Sequence, residues 1–455
     1  MILLRTIMTF KSALDIDCGI RYMYDTLEIM SPCGRKMLMA GEMMTSKREL
    51  DFYYRRLNEI YDKDCTRIAH KLMCLKDIQT TLGRLQDGAT LDDIELFEVK
   101  YLAIVSGEVR ELLQQEHIVA VGLPQLDKVV DILDPDKLNI PSFYVYDSYS
   151  EELKDVRKQM RMLQGNGEEL PDDKRAELAV LLQKNADLEL EVREKLSGRL
   201  KDFGGDLVLA LRNLSFLDIL IAKAAQMRKM GLCFPVIVED GETFYNGMFN
   251  PAVKDLLVQQ GREYMQVDIA FEREPVTIIG ANMGGKSVVL KSLALNQLLA
   301  QFGFGVAAHD CCVSLVEEVA LCIGDEQSIV KGVSSFAGEI LAIDAVIKKI
   351  RGGQSILALV DEPARTTNPV EGTALVEGLL EVIGNVKGGF VLTTHYNIGN
   401  ESVKRYRVKG LRNGVMDYTL EITHCGDVPH EAVAIAESLG IDPQWIECTK
   451  RNLNN

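Results

Sequence analysis

The run Gly280-Ala281-Asn282-Met283-Gly284-Gly285-Lys286-Ser287 has the spacing G-x-x-x-x-G-K-S of a phosphate-gripping loop (Walker A). Its glycines let backbone N–H groups turn inward around phosphate oxygens, and a helix N-terminus behind them adds partial positive charge. Lys286 is placed to reach terminal phosphates and the Ser287 hydroxyl to ligate magnesium, with Val288 continuing into the helix. Phosphoryl chemistry also needs carboxylates to hold the metal and orient water. "ILALVDEPAR" supplies them, with Asp361 holding magnesium through water and Glu362 polarising the attacking water. In "VLTTHYN", His395 closes another apolar run and could sense the terminal phosphate or serve as an ordinary hydrogen-bonded strand end.

These residues need strands that stop where the chemistry begins. "PVTIIG", "SILALVDEP" and "GGFVLTTHYN" read as buried strands, while "KSVVLKSLALNQLLAQFG" and "VEGTALVEGLLEVIGN" read as helices. Apolar strands with helical crossovers predict a parallel sheet with helices on both faces, ligands lying at the carboxyl ends. Shorter β-type runs, "CFPVIVED" and "ETFYNGMF", precede it.

From about Thr45 to Met230 the texture is helical, with apolar residues at three- and four-residue spacing. "SKRELDFYYRRLNEIYDKDCTRIAHKL" reads as one helical segment, and "TLDDIELFEVKYLAIVSGEVRELLQQ" as another, opened by a Thr90/Asp93 cap pattern. A loop cluster surrounds Asp134-Pro135 and Ile140-Pro141. Two charged helical stretches flank the breaker "GNGEELPDD", the pattern of an antiparallel hairpin, and "GGDLVLALRNLSFLDILIAKAAQMRKMG" follows as a more apolar helix. The expected division is a helical domain at 1–230 and an α/β domain at 231–455.

The 455 residues suffice for two or three domains, and no stretch approaches the roughly 18 uncharged apolar residues of a membrane span. "MILLRTIMTF" carries Arg5 and no small-residue cleavage site, so it reads as mature protein and not a signal peptide. Ten scattered cysteines without a CxxC predict free thiols in a reducing cytoplasm. A net charge of -16 without a Lys/Arg run weighs against a chain built mainly to grip a phosphate backbone, although a local face can differ from the whole.

Taken together the motifs resemble the MutS family of DNA mismatch repair ATPases. "GANMGGKS" looks like that family's phosphate loop. "GVSSFAGE" is similar to its signature segment, with Gly332, Ser334, Phe336 and Glu339 matching and Ser335 standing in for Thr. "DEPARTTNPVEG" resembles its acidic segment at Asp361, Glu362, Arg365, Thr367 and Gly372, and "TTHY" its strand ending in His395. "SPCGRKMLMAGEMMTSKRELDFYYRRLNEI" looks like the start of its helical core, "LRNLSFLDILIAKAAQ" like its lever helix, and "HEAVAIAESLGIDPQWI" like its C-terminal dimerisation element.

The resemblance implies an ABC-type P-loop ATPase domain preceded by an all-α lever and core domain. It implies magnesium-dependent conversion of ATP to ADP and phosphate in a homodimer, or a heterodimer with a related subunit. Lys286, Ser287, Asp361, Glu362 and His395 would act within their own subunit. The signature residues Ser334, Ser335 and Glu339 belong to the segment that completes the other subunit's site, with Ser334 on its terminal phosphate.

Departures qualify the match. Pro363 and Ala364 replace an apolar residue and a Gly, Thr366 replaces a Gly, and Val288 replaces a Thr. The helical core begins almost at once, and the acidic "GNGEELPDD" stands where a basic DNA clamp would be. The chain ends at "CTKRNLNN", so the expectation is a short member without mismatch-binding, connector or nuclease-type modules. Two readings stay open: an ATPase that binds DNA structures through its helical core, or a protein-remodelling ATPase, such as a reactivating factor for a cobalamin-dependent amino-acid aminomutase.

Overall fold

The structure, a computed structural model, describes residues 7–138, 140, 142–164, 171–280, 285–323, 335–399, 403–412, 415–424 and 441–453. Ala281–Gly284, Ser334, most of the "GNGEELPDD" turn and residues 425–440 of the C-terminal element therefore lie outside the described residues, as does the side chain of Ser335. Two compact units are present. One joins Met1–Leu27, Met39–Arg55 and Lys223–Asn455; the other joins Glu28–Leu38 and Arg56–Ala222.

The second unit is helical. Asp93–Gln115 runs for 23 residues, and its start differs from the expected one. Asp92, not Thr90, is the N-cap: its carboxylate accepts from the N–H groups of Ile94 and Glu95, and the Glu95 side chain reaches back to the Asp92 N–H. The segment expected as one helix over residues 46–72 is two, Lys47–Tyr61 and Thr66–Leu72. Asp64 causes the break by accepting from both the N–H (3.0 Å) and the hydroxyl (2.6 Å) of Thr66. The charged hairpin is as expected. Glu151–Gln164 and Asp172–Lys201 are joined by Arg157, which binds Glu189 at 2.8 Å, and by the Lys184–Glu152 pair at 2.7 Å.

Residues 28–38 belong to this unit because Asp218, on the Gly204–Met230 helix, accepts from the Ser31 N–H at 2.7 Å, the Ser31 hydroxyl at 2.6 Å and the Met30 N–H at 3.0 Å. Burial raises the Asp218 carboxyl above its ordinary pKa, and these hydrogen bonds pull against that rise.

In the first unit the described strands form two sheets. A four-stranded sheet orders β1 (Val236–Val238), β5 (Asp310–Ser314), β2 (Thr243–Met248) and β3 (Val267–Phe271), and only its β1–β5 pair is parallel. Its β1 and β2 lie in the two short β-type runs expected before the parallel sheet, whereas β3 and β5 fall in no expected strand.

The second sheet has the order β10-β9-β4-β8-β7-β6. Its members are β4 (Val276–Ile279), β6 (Glu318–Ile323), β7 (Ile356–Asp361), β8 (Gly388–Thr394), β9 (Lys404–Arg412) and β10 (Val415–Ile422). All neighbours are parallel except the β9–β10 hairpin. Ile356, Ala358 and Val360 of β7 pack in one cluster with Ile343 and Val346 of the Ser335–Arg351 helix and with Val376 and Leu380 of the Pro369–Ile383 helix. Leu357 and Leu359, of opposite parity, are also fully buried, and the Lys286–Gln301 helix packs on β6, β7 and β8. Burial on both faces explains why these strands read as unbroken apolar runs. No helix among the described residues is long and apolar enough to cross a membrane.

Candidate nucleotide site

Strand β4 ends at Ile279, and the Lys286–Gln301 helix opens after Gly285, whose φ of 74° is left-handed. A Cβ at Gly285 would lie 3.1 Å from the Tyr418 ring and one at Gly280 would lie 3.2 Å from Val408 Cβ, so a side chain at either position would press on these neighbours. Val288 sits half-buried in the first turn.

Lys286 is only 4% exposed, a burial an ammonium tolerates only when paired. Its Nζ donates to the Gly280 carbonyl at 2.8 Å and lies 2.9 Å from Glu362 Oε1. The Ser287 hydroxyl donates to Asp361 Oδ2 at 2.6 Å. The phosphate-loop cation and hydroxyl therefore meet the two acids at the end of β7.

What holds the acids is a residue missing from the expected set. Thr393, fully buried on β8, donates its hydroxyl to Asp361 Oδ1 at 2.6 Å and accepts from the Glu362 N–H at 2.9 Å. One threonine holds the Asp361 carboxylate and the Glu362 backbone, and although it opens the run "TTHY", the sequence singled out only His395 there.

The chain turns sharply after Asp361, with Glu362 (φ 42°) and Ala364 (φ 62°) both left-handed. Three anchors fix this turn: the Glu362 N–H to the Thr393 carbonyl (3.1 Å), the Tyr396 hydroxyl to the Ala364 carbonyl (2.7 Å), and the Ala364 N–H to Glu339 Oε1 (3.0 Å). Ala364 stands where the resemblance expects Gly, and its φ is one that glycine adopts without penalty. Glu339, expected in the segment serving the partner, makes this contact within its own chain.

His395 Nδ1 is 4.0 Å from Glu362 Oε2, and Arg365 lies 3.9 Å from the same oxygen. Partial burial lowers the His395 pKa below 6.5; Glu362 pulls it upward, and the charges of Lys286 and Arg365 push it down. Burial thus favours the neutral ring.

A parallel sheet carrying a glycine-opened helix after one strand, with an Asp-Glu pair ending a nearby strand, is the arrangement of the P-loop nucleotide-binding class. Residues 276–442 match the family model described as MutS domain V. Proteins described as "Endonuclease MutS2" are also similar. The one from Carboxydothermus hydrogenoformans is 31% identical over 280 residues, 58% of this chain and 35% of that protein. The one from Thermus thermophilus is 33% identical over 216 residues, 46% and 27% respectively, and the one from Enterococcus faecalis 32% over 244 residues, 52% and 30%. The chain is similar to the MutS family over the stretch these matches cover, which reaches about half of its length. It spans a quarter to a third of the length of the curated relatives it matches.

Proposed function

We propose that this chain binds ATP with Mg2+ and hydrolyses it to ADP and phosphate, as the ATPase of a dimeric MutS-type switch that binds DNA structures through its helical residues. The observation that carries the reading is the meeting of Lys286, Ser287, Asp361 and Glu362 around Thr393. Ser287 Oγ and Asp361 Oδ2 are hard oxygen donors suited to a Mg2+ that keeps most of its waters and leans on phosphate oxygens. Among the described residues no group of three or more His, Cys, Asp and Glu competes for a metal. When bound, Mg2+ neutralises phosphate charge.

The residues then have distinct tasks. Lys286 exchanges Glu362 for phosphate oxygens, which frees the Glu362 carboxylate to orient and deprotonate water. Thr393 keeps both acids in place during that exchange. His395, neutral, offers a ring nitrogen to the water or the terminal phosphate.

We assign residues 231–455 to an ABC-type ATPase domain with a C-terminal dimerisation element, and residues 1–230 to the lever and core. Ser334 and Ser335 serve the partner's nucleotide, whereas Glu339 also braces its own turn. An apolar cleft of about 410 Å3 between the Ser335–Arg351 and Pro369–Ile383 helices, lined by Leu375 at 45% and Val382 at 44% exposure, supports a covered face. The nine described cysteines, all free, support a cytoplasmic location. DNA as cargo is supported by the name of the relatives, endonuclease, and opposed by the net charge of -16.

The test is phosphate release by the full chain with Mg2+-ATP, run with mobility shifts on duplex, branched and single-stranded DNA at low salt. Turnover abolished by chelation and by Lys286→Ala, with a nucleotide-dependent DNA shift, is expected. Turnover that survives Lys286→Ala overturns the site. Intact turnover without any DNA shift removes DNA as cargo and leaves protein remodelling.

A further inference from the structure

Cys233 lies three residues beyond the Gly204–Met230 helix, in an isolated bridge whose two backbone hydrogen bonds to Val306 are each 2.9 Å. Its Sγ is 3.8 Å from Sγ of Cys311 on β5, a contact between two thiols 78 positions apart in the chain. A disulfide has an S–S length of about 2.05 Å, so closure asks for a movement of less than about 2 Å.

The two sulfurs are not equivalent. Cys233 is partly exposed, whereas Cys311 is 2% exposed. The contact with the Cys311 sulfur holds Cys233 below the usual thiol range; the same contact, with burial, pushes Cys311 well above it, while nearby Asp310 raises both. A partly exposed sulfur that favours the thiolate, backed by a buried protonated one, is the arrangement of an attacking and a resolving thiol. Tyr245, paired with Cys311 in the strand register, is fully buried, and its hydroxyl has no hydrogen-bond partner among the described residues. Cys312, next along β5, points to the opposite face of the strand.

We propose that Cys233 and Cys311 are a reversible dithiol–disulfide site, with Cys233 the attacking thiol, Cys311 the resolving thiol and a small aliphatic disulfide of the glutathione class as oxidant. The Cys233 thiolate attacks one sulfur of the oxidant, forming a mixed disulfide and expelling a thiolate that takes up the proton Cys233 has lost. Cys311 then loses its proton, and its thiolate attacks Cys233 Sγ and expels the second small thiolate, which takes up that proton. Two protein thiols are oxidised, and one small disulfide is reduced to two thiols. The bond closes a loop of chain that contains the phosphate loop and the Lys286–Gln301 helix, and it ties the segment after residue 230 to β5.

The test treats the full chain with oxidised glutathione, quenches it with an alkylating agent and maps the peptides by mass. A peptide linking Cys233 to Cys311, two hydrogens lighter than the thiol pair and reversed by dithiothreitol, is expected, together with a higher melting temperature. Cys311→Ser should stop at a glutathione adduct on Cys233, and Cys233→Ser should leave Cys311 as a thiol. Glutathione on the exposed Cys74, with Cys233 and Cys311 still free in the wild type, overturns the proposal; so does a Cys311→Ser chain whose Cys233 gains no adduct.

Discussion

Glu339 Oε1 accepts a hydrogen bond of 3.0 Å from the Ala364 N–H, and so ties the Ser335–Arg351 helix to the turn that carries Glu362. A hydrogen bond to a charged group contributes about 1.5–3 kcal/mol. Glu339→Ala should therefore lower the melting temperature and reduce ATP turnover more than ATP affinity, because it loosens the turn without touching Lys286 or Ser287. Glu339→Gln keeps an oxygen acceptor and should recover most of both losses. Parallel melting curves and steady-state kinetics check this; equal damage by the two variants would mean that the charge of Glu339, and not its hold on Ala364, is what matters.

Glu362 should separate binding from chemistry. Glu362→Gln retains the side-chain size and the N–H contact with Thr393, but it removes the base and the charge opposite Lys286. Turnover should fall by roughly 10²–10⁴-fold, while fluorescent-nucleotide titration finds affinity within a few-fold of wild type. Unchanged turnover would take the catalytic assignment away from Glu362.

The meeting of Lys286 and Ser287 with Asp361 and Glu362 was legible in the sequence because the strands before them are buried on both faces and end in residues that an apolar run cannot absorb. Ile356–Val360 stops at Asp361, and Val276–Ile279 stops at Gly280. Thr393 escaped notice because a threonine near the end of a strand is unremarkable until the register sets it beside Asp361. The four-stranded sheet was legible only in part: β1 and β2 lie in the two short β-type runs, but β1 is three residues long and its partner β5 arrives only at Asp310, so no local pattern announces the pairing. The N-cap of the Asp93–Gln115 helix shows a third limit. Thr90 and Asp92 are both capping types, and only the contacts with the Ile94 and Glu95 N–H groups choose between them.

Ala364 supplies a test of strain. A left-handed φ costs a non-glycine residue about 1–2 kcal/mol, against about 0.4–1 kcal/mol of extra unfolded-state entropy for glycine and about 0.8 kcal/mol for one buried methyl. These terms nearly cancel. Ala364→Gly should leave the stability within about 1 kcal/mol of wild type, measured by urea denaturation, while raising the hydrogen-exchange rate of the turn amides, including the Ala364 position itself. A loss of several kcal/mol would show that the methyl group packs more tightly than its backbone angle implies.

His395 gives the turn a pH signature with a definite sign. Partial burial lowers its pKa below 6.5 in the folded chain, while the unfolded chain titrates near 6.5. Between those two values the unfolded state binds more protons, so stability rises with pH across that window. The contribution is full above pH 6.5 and is lost as the pH falls through the folded value. His395→Gln cannot titrate, so the wild-type melting temperature should fall relative to the variant's below pH 6.5, and the two curves should run parallel above it. Any loss of wild-type turnover from protonation of the ring should likewise be centred below pH 6.5, because burial lowers its pKa. A wild-type activity loss centred above pH 6.5, absent from His395→Gln, would mean that Glu362, 4.0 Å away, outweighs burial and raises the imidazole pKa.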